Sequence, residues 1–149
     1  MADGMILSVE EASITLPSNS AVSYNLTKGQ NTANCVPFAT MYASVGNGQG
    51  YELYPDIYFE SGPKVTAQRS WTTGTLYLKI YVVEFNPNKV KVQQGTVHLD
   101  TGNKAISAPK APALQSNRSA AVCYYRQIGS SFAWQASEIM VYSVDDSTL

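Results

Sequence analysis

The chain has 149 residues, of which 44% are hydrophobic and only 14% charged, and its 10 basic and 11 acidic side chains leave a net charge of −1. Such a length suits one domain with a real core, and the absence of any basic run argues against a nucleic-acid or anionic-membrane partner. No apolar run approaches the roughly 20 residues of a membrane span, and the opening Met1-Ala-Asp-Gly-Met-Ile-Leu-Ser-Val lacks the basic start of a secretory signal.

In chain order, Met5 to Val9 is a short apolar stretch, so residues 1–10 read as an N-terminal arm or an edge strand. Ala12 to Leu16 alternates, with Ile14 and Leu16 on one face, and Pro17-Ser18-Asn19 ends it. Ala21 to Leu26 alternates again before a turn over Thr27 to Asn31. Cys35 to Ala43 is the next strand. Proline cannot donate to a ladder, so Pro37 places that strand at an edge or a bulge. Gly46, Gly48 and Gly50 mark a loop, and Glu52 to Glu60 follows with a kink at Pro55. Ser61-Gly62-Pro63 is a tight turn into Lys64 to Arg69.

Thr75 to Asn86 is the longest apolar run, rich in Val, Ile, Leu, Tyr and Phe, which fit a pleated surface better than a helix. At about 3.3 Å per residue it would reach some 35 to 40 Å, and it is predicted to be the central strand of the fold. Glu84 lies inside this run and needs a partner, with Arg69 and Lys91 as candidates. Val90 to Leu99 alternates, but its apolar positions change parity between Val92 and Val97, which suggests a bulge or bend at Gly95. Asp100-Thr-Gly-Asn is a hairpin turn signal. Ala108 to Ala113 reads as an extended crossing segment, and Ala120 to Arg126 and Ser137 to Val144 are the last strands.

No window keeps a period of 3.6, and turn signals recur every 8 to 12 residues or so. The fold class is therefore all-β, an antiparallel β-sandwich of jelly-roll or related Greek-key type with little or no helix, as a single domain over residues 1–149. Cys35 and Cys123 each sit in an apolar stretch and read as buried free thiols rather than a disulfide. Residues 14–58 and 97–142 share an order of features (strand, turn, cysteine-bearing strand, loop, strand), which leaves an internal duplication open.

Few residues suggest chemistry. His98 is the single histidine, and neither cysteine has the paired spacing of a metal site. His98 and Asp100 share a strand face without a nucleophile elbow. Glu52, Asp56 and Glu60 share a parity, for which a solvated sheet face is the ordinary account. The sequence thus calls for no catalytic, cofactor or metal residues. The better candidates are aromatics near predicted loops, Tyr42, Tyr51, Tyr54, Trp71, Phe132 and Trp134, which could stack on sugar rings or anchor an interface.

Two stretches are informative beyond their composition. Leu26-Thr-Lys-Gly-Gln-Asn-Thr-Ala-Asn-Cys-Val-Pro-Phe and Tyr81-Val-Val-Glu-Phe-Asn-Pro-Asn-Lys-Val-Lys-Val-Gln-Gln-Gly resemble segments of small structural proteins of tailed bacteriophages, the likeness covering about residues 24 to 95. Those proteins are β-rich fibre, collar or head-decoration components, and the resemblance brings no catalytic residue with it. It implies a non-enzymatic virion component, assembled in the bacterial cytoplasm. Such a component meets other virion proteins and works as a homo-oligomer, a trimer by analogy. The alternative is a carbohydrate-binding or host-adhesion module whose loop aromatics meet a surface glycan. Neither reading involves nucleic acid or membrane.

Overall fold

The computed structural model describes residues 4–17, 20–44, 54–69, 74–99, 119–128 and 136–146. Nine strands account for most of them: β1 (Ile6–Leu16), β2 (Ala21–Asn25), β3 (Cys35–Ser44), β4 (Asp56–Phe59), β5 (Lys64–Gln68), β6 (Thr75–Phe85), β7 (Val90–Leu99), β8 (Ser119–Ile128) and β9 (Ala136–Asp146). Among the described residues, a 3₁₀ turn at Thr32–Asn34 is the whole of the helical structure. The strands form three antiparallel sheets: a front sheet β1-β6-β3, a back sheet β2-β5-β4 and a side sheet β7-β9-β8. The fold is all-β and antiparallel.

The chain visits the first two sheets alternately, β1 front, β2 back, β3 front, β4 back, then turns through a β4–β5 hairpin and returns to the front as β6. β6 is thereby flanked by β1 and β3 in the front sheet, and β5 by β2 and β4 in the back sheet. Period-2 alternation then aims one side chain in two from each sheet at the other. Ala12, Ile14, Leu16, Leu76, Leu78, Ile80 and Val82 of the front sheet form one buried cluster with Ile57, Val65 and Ala67 of the back sheet.

Several expectations meet their physical reasons here. The long run is indeed the central strand of its sheet, with β6 paired to β1 over Leu76–Phe85 and to β3 over Thr75–Glu84. The two short N-terminal stretches are one edge strand, interrupted by a register shift between Ile6 and Ser8. No such shift occurs at Gly95, where the β7–β9 register runs unbroken through Gly95 and Val141. The apolar residues change parity there while the pairing stays regular. The turn signal at residues 100–103 lies outside the described residues, and β7 pairs with β9 rather than with the next strand, β8. The stretches compared for duplication are built differently: β2, β3 and β4 are shared between two sheets, whereas β7, β8 and β9 share one. Gly62 closes the β4–β5 turn with φ +86°, a conformation that favours glycine.

Candidate functional site

Where one face of the front sheet is core, the alternate residues of the same strands point outward. The register sets them in rows across β1, β6 and β3: Glu11, Tyr81 and Phe38; then Ser13, Lys79 and Thr40; then Thr15, Tyr77 and Tyr42. The last row ends in a stack, the Tyr42 and Tyr77 rings lying 4.7 Å apart between centroids and 12° from coplanar. Directly opposite residues on antiparallel strands can bring two rings this close. Tyr42 nevertheless stays 66% exposed. Lys79 donates to Glu11 at 3.0 Å, and that hydrogen bond together with the carboxylate charge holds the lysine above its ordinary pKa. Between the stack and this ion pair lies an open groove with a cavity volume of about 410 Å³.

Toward the other end the face becomes apolar. Tyr81 is 36% exposed, Phe38 40% and Val9 41%, whereas Val83 and Val36, in register with Val9, are buried; Met5, Ile6 and Leu7, ahead of Val9 in the chain, are exposed as well. Isolated exposed apolar residues are ordinary, whereas several on one sheet face are a feature that contact surfaces share.

The sheet edges beside this face are occupied. On the β3 side, the Tyr124 hydroxyl of β8 accepts from the Ala39 N–H at 2.8 Å and donates to the Pro37 carbonyl at 3.0 Å, standing in for a neighbouring strand. Residues 37 and 39 share a parity, so the missing N–H of Pro37 faces this same edge and removes no ladder bond. Burial raises the Tyr124 pKa, and the Ala39 amide partly offsets it. Gln94 Nε2 donates to the carbonyls of Thr32 at 2.6 Å and Cys35 at 3.2 Å. On the β1 side, the Lys28 ammonium donates to the Val9 carbonyl. A lysine or a proline on an edge discourages further strand addition.

A polar network holds the loop that joins β2 to β3. Glu10, on the inward parity of β1, accepts from the Thr27 N–H at 2.8 Å, the Thr27 hydroxyl at 3.0 Å and the Lys28 N–H at 3.0 Å. Burial pushes its carboxyl up, but the two amides, the hydroxyl and the Lys28 charge outweigh that and hold its pKa below the ordinary value. Glu84 is partnered by the Ser8 hydroxyl at 3.0 Å and the Asn31 N–H at 3.0 Å, not by the predicted Arg69 or Lys91. Arg69 is itself buried and donates to the Gly74 carbonyl. Burial, reinforced by the Glu84 charge, pushes the Cys35 thiol up to about 12, so it remains protonated. Cys123 is exposed rather than buried, because its β8 position faces away from the core that Tyr124, next along the strand, packs against.

Of the six aromatics expected at the site, Tyr42 stands on a strand face and not on a loop, and Tyr54 is an exposed residue just ahead of β4. Tyr51, Trp71, Phe132 and Trp134 lie outside the described residues. His98 is in backbone register with Glu138. The parity of Glu52, Asp56 and Glu60 does not give one solvated face: Asp56 is buried, while Glu60 accepts from the Thr66 and Ser23 hydroxyls at 2.8 and 3.2 Å, and Glu52 lies outside the described residues. No group of three or more His, Cys, Asp and Glu placed to hold a metal ion occurs among the described residues. Sequence reasoning missed Tyr77, Lys79, Tyr81 and Phe38. The signal was in the long run itself, whose odd positions Thr75, Tyr77, Lys79 and Tyr81 are all amphipathic or polar while its even positions are purely aliphatic from Leu76 to Val82.

Fold and site together define an all-β protein that presents a mixed aromatic and polar sheet face. No family model matches the chain, and no curated protein or solved structure matches it.

Proposed function

We propose that the protein is a non-enzymatic structural component of a bacteriophage particle, a capsid-decoration, collar or fibre-type accessory, which acts through protein–protein contacts. The observation that carries the proposal is the exposed group of Val9, Phe38 and Tyr81 on the outer face of the front sheet, extended by Met5, Ile6 and Leu7. These side chains are 36 to 51% exposed, so covering each contributes only part of the roughly 1.5 to 3 kcal/mol of full burial, and a stable joint needs the whole group to exceed the cost of association. The resemblance over about residues 24 to 95 supplies the setting. The contact runs through a face rather than by strand addition, since Tyr124, Pro37 and Lys28 occupy the front-sheet edges. Copies of the chain form a closed homo-oligomer, as most assemblies of identical subunits do.

The test is compositional. Particles banded by density from cells that express the chain, analysed by mass spectrometry and immunogold labelling, should contain it at a fixed stoichiometry and at one repeated position. Particles free of the protein would overturn the proposal.

A further inference from the structure

We propose that the groove beside the Tyr42–Tyr77 stack is a binding site for a neutral polysaccharide chain. This does not rest on the virion reading, and its failure would leave the apolar contact surface untouched.

The geometry points to a sugar for three reasons. First, Tyr42 is 66% exposed and braced by Tyr77 at 4.7 Å, so it offers a ring held in one orientation. An aromatic ring of fixed orientation suits the C–H face of a pyranose, and bracing lowers the ordering cost of binding. Second, the hydroxyls of Ser13, Thr15 and Thr40 stand on the same outward face, supplying donors and acceptors for the equatorial hydroxyls of such a ring. Adjacent rows on a sheet are about 6.6 Å apart and adjacent strands about 4.8 Å. The platform therefore matches one or two sugar units side by side. Third, the charge of Lys79 is met by Glu11 at 3.0 Å. With Glu11 beside Lys79 the groove offers no net positive charge to hold a phosphorylated or sulfated ligand, and a lipid chain would leave three hydroxyls without partners. The groove is open rather than enclosed and flanks an edge strand, so a long chain can lie along it with its ends in solvent.

The experiment is a titration of isotope-labelled protein with maltohexaose, cellohexaose and xylohexaose, read by amide chemical shifts. At least one should give saturable shifts centred on residues 13–15, 40–42 and 77–79. Tyr42→Ala should weaken that binding by about tenfold or more, and Tyr42→Phe by less than about twofold, since the ring face and not the hydroxyl is used. Thr40→Arg, a change at an exposed position, should block the groove independently. No saturable shift with any of the three oligosaccharides at millimolar concentration would overturn the proposal. So would binding that neither Tyr42→Ala nor Thr40→Arg diminishes.

Discussion

The two faces of the front sheet are made from the same three strands yet do different work. Inward, Ile14, Leu16, Leu76, Leu78, Ile80 and Val82 are buried against the back sheet. Outward, one residue along in each case, Val9, Phe38, Tyr42 and Tyr81 remain in solvent beside Glu11 and Lys79. What differs is chemistry: the inner face is aliphatic and cannot satisfy a polar neighbour, while the outer one is dominated by side chains with an apolar body and a polar tip. The first kind suits a permanent dry core and the second a contact between separately folded subunits.

The largest effect that would test this contrast is on the inner face. Ile80→Ala should lower the free energy of unfolding by about 2 to 5 kcal/mol, measured by urea titration, because Ile80 is fully buried between β1 and β3. A loss under 1 kcal/mol would mean the inner face is not a close-packed core.

Glu10 is the exception on the inner side, and Glu10→Gln should cost about 1.5 to 3 kcal/mol at neutral pH, as expected for charge-assisted hydrogen bonds. Its folded pKa lies below the ordinary carboxyl value, so the stability it adds is complete above that value and is lost as pH falls through the folded one. The parent and variant curves should therefore diverge toward neutral pH and converge in acid. Parallel curves at all pH values would contradict the assignment.

Much of this was legible beforehand, for physical reasons that differ by residue. Alternation and turn chemistry identify strands because both are local, which is why β6 was placed correctly from Gly74 to Asn86 and why Pro37 announced an edge. Pairing is not local. Nothing adjacent to Glu84 in sequence says that Ser8, opposite it on β1, and Asn31, ahead of β3, will reach it. Tyr42 was read within the strand Cys35 to Ala43 and named for its closeness to the glycines at 46 to 50, but what sets it out is the outward parity of β3, which runs to Ser44. Tyr77 was hidden inside a run read as one central apolar strand, with no face assigned to its alternate residues. Cys123 was misplaced because an apolar run does not say which parity meets the core, and on β8 that parity is Tyr124's.

A smaller effect concerns the border between the faces. Tyr124→Phe removes both hydrogen bonds to the β3 edge and should cost about 1 kcal/mol. The clearer readout is the Ala39 amide, which should exchange with deuterium faster than in the parent while the amides of β6 keep their protection. Unchanged exchange at Ala39 would show that the hydroxyl does not guard the edge.

The smallest effect on stability belongs to the outer face and carries the most meaning. The double substitution Phe38→Ser and Tyr81→Ser, at exposed positions, should shift the unfolding free energy by less than about 0.5 kcal/mol per site. Sedimentation velocity at micromolar concentration reads the outer face directly. The parent should sediment as a homo-oligomer, and the double variant as a folded monomer whose unfolding midpoint is lower only by what the lost association contributed. A monomeric parent, or an oligomer indifferent to the two substitutions, would contradict the claim that this face is a joint.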